Sequence, residues 1–399
     1  MRARAVAGAS VALLVWSGCG SVGGSTSRDG GRREDDGSSS SRPADTSSGK
    51  DGSADSDGSN ATIDVHATGS GDAAAVPDGT PADNGESSCT GTLCAGQCSD
   101  LSTDMLNCGL CGNACASFQT CKAGSCTSSQ TCPGAPAAAP TQAGDAYTTL
   151  NSARSSSGIP CASLNANLDA ASGDHCQYYA ANNTAANSMC VANPHVEVAG
   201  CADFVAAQFY ERDTAAGYTG EAVFEDMAFE DDGAVATKMW IDSVWHRVPV
   251  LSPWIRDIGY GGATGCDTMD FGVGATTLDT ATAVYPYPGQ TMVPTSFNGA
   301  DEGPEPPVPP AGWPSGYPII VYLKQAMTAS VHTLTVLGST TPIAHQLISP
   351  GDASAMGLLT DEFILYANAP LSSSTHYHVH VEATGSTGSA IFDWVFATM

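Results

Sequence analysis

Pro194-His195-Val196-Glu197, Gly220-Glu221 and Trp240-Ile241-Asp242-Ser243-Val244-Trp245-His246-Arg247 are the three stretches whose reading decides the fold. They set two histidines among carboxylates, in an order and spacing that point to one shared cleft formed by His195, Glu197, Glu221, Asp242 and His246. Asp231-Asp232 supply an N-cap, and the following pattern predicts a helix from 233 to 246, ended by Pro249. On that helix Asp242 and His246 are four residues apart and share a face. Neutral imidazole beside carboxylate is a donor set suited to zinc or a similar first-row cation.

Working outward, Leu164, Leu168, Ala171, His175 and Tyr179 recur at helical spacing and predict a long amphipathic helix. His175 lies on its apolar stripe, where a histidine reads as a hydrogen-bonded core residue. Glu225, Asp226, Glu230, Asp231 and Asp232 lack the spacing of a calcium loop and read as a solvated acidic loop. Asp257-Ile258-Gly259-Tyr260-Gly261-Gly262 reads as a strand running into a glycine turn, and Phe271-Gly272-Val273-Gly274 as another strand. Helices and strands intermix without βαβ regularity, which predicts an α+β sandwich.

In that order the three stretches resemble the signature of the CAP superfamily, the cysteine-rich secretory, antigen 5 and pathogenesis-related 1 (SCP-like) proteins, in its bacterial form, over residues 145 to 275. The resemblance implies an α-β-α sandwich in which two histidines and two acidic residues face a cleft, and some members hold a divalent cation there. His195 matches the first histidine, Glu221 the glutamate of the Gly-Glu-Asn motif, and His246 the second histidine, so the resemblance implies His195, His246 and Glu221 as the candidate metal ligands. Two positions depart: Ala222 replaces the asparagine, and Ser243 stands where the second glutamate is expected, leaving Asp242 and Glu197 as nearby substitutes. The resemblance implies a binding role toward a lipid, cation or protein ligand. The alternatives are a metal-dependent hydrolase, with Glu221 or Glu197 taking the proton of a metal-bound water, and a structural surface adhesin with an unliganded tetrad. No Gly-x-Ser-x-Gly elbow is present, every cysteine has a pairing role, and no catalytic residue is assigned.

The amino terminus reads as an export signal: Met1-Arg2-Ala3-Arg4, the apolar run Val11 to Trp16, then Ser17-Gly18 before Cys19. Cys19 resembles the lipidated cysteine of bacterial lipoproteins, although Trp16 stands where leucine is usual. This predicts an outer-membrane or cell-surface lipoprotein, or a secreted protein. Removing Cys19 from the fifteen cysteines leaves an even number that can pair completely in an oxidising compartment. Residues 20–88 contain no aromatic residue and no leucine, and read as a disordered tether. Eight cysteines between Cys89 and Cys126 predict a small module held by disulfides rather than by a core. The stretch resembles Cys-rich repeats of secreted proteins of predatory soil bacteria. A formal net charge of −27 repels nucleic acid and anionic membrane surfaces.

Beyond Tyr285-Pro286, short alternating strands at 318–323, 332–337, 363–367, 377–382 and 392–397 predict an immunoglobulin-like β-sandwich. His376, His378 and His380 alternate along one of them and project from one face, where they could chelate a metal; an exposed polar face is the preferred reading. The expected organisation is a signal peptide (1–19), a tether (20–88), a Cys-rich module (89–132), a CAP domain (141–284) and an Ig-like sandwich (285–399).

Overall fold

The computed structural model describes residues 89–399, except 95, 116–118, 129, 274–281 and 387. The export signal, Cys19 and the tether lie outside the described residues. In the Cys-rich module β1 (Thr92–Cys94) pairs with β2 (Gln97–Ser99), and β3 (Gln119–Lys122) with β4 (Ser125–Ser128). Leu93 and Leu106 are exposed, so apolar burial contributes little. Four disulfides hold the segment instead, Cys89–Cys98, Cys94–Cys111, Cys108–Cys121 and Cys115–Cys126. The sulfurs of Cys108, Cys115 and Cys126 lie close together, yet all are oxidised, and the thiolates a metal needs are not there.

The next part comprises α1 (Thr141–Ser156), β5 (Ser163–Leu164), α2 (Ala166–Asn182), α3 (Phe209–Ala215), β6 (Glu221–Ala228), α4 (Gly233–Asp242), α5 (Arg247–Val250), β7 (Asp257–Ala263) and β8 (Cys266–Val273). Its sheet runs β5-β7-β8-β6, with β5 parallel to β7 and the other pairs antiparallel. The glycines of β7 explain how a helix lies on this sheet. A Cβ on Gly259 would fall 2.1 Å from the Leu168 carbonyl carbon, and one on Gly261 2.1 Å from the Gly173 nitrogen. They are close-approach positions under α2 within a continuous strand, and the expected glycine turn does not form there. Tyr260, between them, points to the opposite face and meets Gly233 at the start of α4. Helices α1 and α4 pack together on that second face, which makes three layers, α-β-α. Cys176–Cys266 ties α2 to β8, Cys132–Cys161 ties the end of the Cys-rich module to the segment before β5, and Cys190–Cys201 closes the loop after α2.

The helix expected over 233–246 is shorter. Asp232 caps it by accepting from Ala234 and Val235 N–H, but the backbone turns extended at Ser243, whose hydroxyl takes the His246 N–H. Pro249 sits inside α5 within its first turn, where the missing N–H costs nothing.

Among the described residues the C-terminal part has seven strands: β9 (Ala283–Tyr285), β10 (Ile319–Tyr322), β11 (Thr328–Val336), β12 (His345–Ile348), β13 (Glu362–Ala367), β14 (His376–Gly385) and β15 (Gly388–Ala397). They form two antiparallel sheets, β12-β13-β10-β9 and β11-β14-β15. Strand β9 straddles residue 284, so the second set of sheets begins slightly earlier than 285. Inward residues such as Tyr377, Val379, Val381 and Trp394 join one apolar cluster with Trp240, Val248 and Phe271 of the preceding part.

Arg154 in α1 is fully buried and donates to four carbonyls, those of Pro160, Val250, Ser252 and Ile255. Burial, with Arg256 nearby, pulls its guanidinium down to about 9. Arg154→Leu would orphan those carbonyls and is expected to cost at least about 3 kcal/mol. Arg154→Lys should recover only part of that, because one ammonium cannot span the four acceptors. Chemical denaturation of the two variants measures both effects.

Candidate functional site

Strand β6 carries two adjacent acids, Glu225 and Asp226, and the pleat sends them to opposite faces of the sheet. Glu225 faces α2 and α3. Its Oε1 lies 2.9 Å from His195 Nδ1 and 3.9 Å from His175 Nε2, while Arg212 of α3 donates to Oε2. Burial opposes its charge, but Arg212 and the two histidines prevail and hold the carboxyl well below the usual range. Asp270, the cross-strand partner of Glu225, accepts from Ser172 Oγ at 2.7 Å. Burial and the negative charge of Glu225 push Asp270 well up, and the same two causes raise Asp213 of α3 to about 7.

Glu197 belongs to this cluster from the loop side. One oxygen is 3.0 Å from His175 Nδ1 and 3.7 Å from Arg212 Nε, and the other accepts the N–H groups of Val205 (2.7 Å) and Ala206 (3.3 Å). His175 Nε2 donates to the Pro194 carbonyl at 2.8 Å. His175 is thus a hydrogen-bonded core residue, and through Pro194 it also positions His195. The side chains of His175, Glu197, Arg212 and Glu225 are at most 1% exposed, whereas that of His195 is 25% exposed. His195 is therefore where this network meets solvent.

The surrounding loop is rigidly built. Cys190–Cys201 closes it, Tyr178 Oη donates to the Cys190 carbonyl and accepts the Val198 N–H, and Asn182 pairs twice with Ala202. On this base Met189, Val198, Phe204, Val205 and, at the start of α3, Tyr210 are exposed.

Asp226 faces the other way, toward His246. His246 Nδ1 is 3.1 Å from Glu302 Oε2, and Glu302 Oε1 accepts the Val244 N–H at 2.6 Å. Burial disfavours the imidazolium, but Glu302 and Asp226 outweigh it and raise His246 to about 9. Glu302 is correspondingly lowered, against its own burial, by His246. The rest of this turn is also occupied by the C-terminal part. Trp245 Nε1 donates to the Pro304 carbonyl, Tyr322 Oη donates to the Arg247 carbonyl, and the Arg247 guanidinium lies 5.0 Å and 4.7 Å from the ring centres of Tyr285 and Tyr317.

The five expected residues are therefore not brought to one place. His195 and Glu197 share the network on one face of the sheet, and His246 lies on the other. Glu221 is exposed at the start of β6, four residues before Glu225, or roughly 13 Å along a strand. Asp242 ends α4, pairs with Lys238 and accepts from Tyr317 Oη at 2.7 Å, and so does not join His246. His195, His246 and Glu221 do not converge, and a cation held by those three does not fit this arrangement. Glu225 and Asp226 are buried strand residues, which corrects the expectation of a solvated loop there. The available signal was their apolar setting, Ala222-Val223-Phe224 before and Met227-Ala228-Phe229 after. Arg212, Asp213, Asp270 and Glu302 had no local signal of this kind.

No family model and no curated protein matches this chain. Among solved structures, an extracellular protein containing an SCP domain from Bacillus anthracis str. Ames matches at 17% identity with a TM-score of 0.28. The match covers 33% of this chain and 40% of that one, so the chain spans two fifths of the solved protein's length.

The His246–Glu302 pair sets a pH dependence. Because the folded value of about 9 exceeds the ordinary 6.5, the pair's contribution is whole below about pH 6.5 and is lost as pH rises through about 9. The melting temperature should fall between those limits. His246→Gln should lower it at pH 6 and flatten the decline, as read by calorimetry across pH.

Proposed function

We propose that this is an exported, CAP-type (SCP-like) binding protein whose recognition surface is the disulfide-closed loop around His195. The observation that carries the reading is the division of labour in the site. The carboxylates of Glu197 and Glu225 are paired with His175, His195 and Arg212 and with backbone N–H groups, so they shape the loop, while partly exposed His195 and the apolar side chains Met189, Val198, Phe204, Val205 and Tyr210 face outward. Such a surface suits an amphipathic ligand, with apolar contacts supplying affinity and one imidazole supplying a polar handle. A metal-dependent hydrolase using His195, His246 and Glu221 is disfavoured because those groups do not meet. The buried network also fits the third reading, a structural surface protein whose tetrad takes no ligand.

In this proposal the two C-terminal sheets are an immunoglobulin-like unit that carries the binding part, Cys19 is the lipid anchor and residues 20–88 are the tether. The fourteen cysteines after Cys19 form seven disulfides, which require an oxidising compartment and support export.

Binding of a fluorescent fatty-acid probe tests the surface. The wild type should bind it, and Phe204→Asp or Val205→Asp should each weaken binding about tenfold or more, in line with losing one buried apolar side chain. Unchanged binding in both variants would remove the loop as the recognition surface.

A further inference from the structure

The outer face of β14 carries a second constellation, remote from the His195 loop in sequence and on a different sheet. His378 and His380 are two residues apart on one strand, which places both imidazoles on the same face about 6.7 Å apart at the backbone. Asp393 lies directly across from His380 on β15. Its carboxylate stands between the two rings: Oδ1 is 2.7 Å from His378 Nε2, and Oδ2 is 2.7 Å from His380 Nδ1. The other nitrogen of His380, Nε2, donates to Glu382 Oε1 at 3.1 Å.

We propose that His378, His380 and Asp393 form a surface site for zinc or a similar first-row divalent cation, with Glu382 orienting His380 from behind. Four features favour this over a merely polar sheet face. The donor set is two imidazoles and one carboxylate, which such ions take with a position left for water. The histidines alternate on a rigid, fully paired strand whose intervening residues Tyr377, Val379 and Val381 are buried, so the backbone is fixed before any ion arrives. His380 bonds to a carboxylate through the nitrogen that would not touch the ion, the arrangement that fixes tautomer and ring orientation in histidine–metal sites. Finally, the side chains are partly exposed, with His378 at 30%, His380 at 25% and Asp393 at 39%, so an ion can enter from solvent.

Each imidazole now addresses a different oxygen of Asp393, and the three ligand atoms do not yet share one point. An ion about 2.1 Å from each ligand atom needs side-chain rotation of the two rings and the carboxylate, with no change in strand register. His376, next along the same face and exposed, is not required. The site stands independently of the binding role proposed for the loop.

The test is titration of zinc into full-length, disulfide-intact protein carrying no histidine tag, by equilibrium dialysis and by NMR of the histidine rings. One zinc per chain is expected, with the rings of His378 and His380 shifting and that of buried His175 unmoved. His378→Gln and Asp393→Asn should each weaken binding by more than tenfold, and Glu382→Gln by roughly tenfold. The ring shifts are read on the unmodified protein, so they report even if a variant folds poorly. Absence of zinc binding in the wild type, or binding that moves neither ring and survives both His378→Gln and Asp393→Asn, would overturn the proposal.

Discussion

The alternation of side chains along β6 governs the arrangement of this molecule. Two neighbouring acids, Glu225 and Asp226, leave the strand in opposite directions, and neither can reach bulk water from the middle of an α-β-α sandwich. Each buried carboxyl must be neutralised by a charge of opposite sign or remain protonated. On one face Arg212, His175 and His195 gather around Glu225, and the surplus acids, Asp213 and Asp270, are driven upward. On the other face His246 comes to lie by Asp226, with Glu302 as its main partner. The sheet that holds the acids apart therefore also holds the histidines apart.

The stretch around His246 consequently acts as a joint. From Val244 to Arg247, backbone and side chains are engaged by Glu302, Pro304, Tyr317 and Tyr322, all from beyond the sandwich. Ser243 fits this use. Its extended backbone ends α4 and frees the turn that enters the C-terminal part, and its hydroxyl supports both the His246 N–H and the imidazole. The loop around His195 has the opposite character, since Glu197 points inward to the Glu225 cluster while Met189, Val198, Phe204 and Val205 are exposed. One disulfide and the paired side chains of Tyr178 and Asn182 fix this loop in place.

Sequence legibility followed range. The helix bearing Leu168, Ala171 and His175 and the alternating strand around His376 to Glu382 announce themselves by local period, because one face of each is buried. The cysteine count likewise foretold complete pairing, although connectivity such as Cys176–Cys266 depends on the finished fold. The site was legible only in part. His195 and Glu197 lie in one network, and the acid beside His195 is Glu225 rather than Glu221, a difference of four residues that moves it from the exposed end of a strand to the buried middle. Asp242 and His246 looked like neighbours on one helix, and the break at Ser243 separates them. Glu302 could not be found by period or motif, since it reaches His246 from a Pro-rich segment 56 residues later.

The separation of the two histidines is the claim most open to a direct check. A double-mutant cycle on thermal stability, pairing His246→Gln first with Glu302→Gln and then with His195→Gln, measures it. The first pair should couple by about 1 kcal/mol or more and the second should be additive within about 0.5 kcal/mol, as expected of sites on opposite faces of a sheet. Coupling between His195 and His246, with none between His246 and Glu302, would contradict this arrangement and restore a single shared cleft.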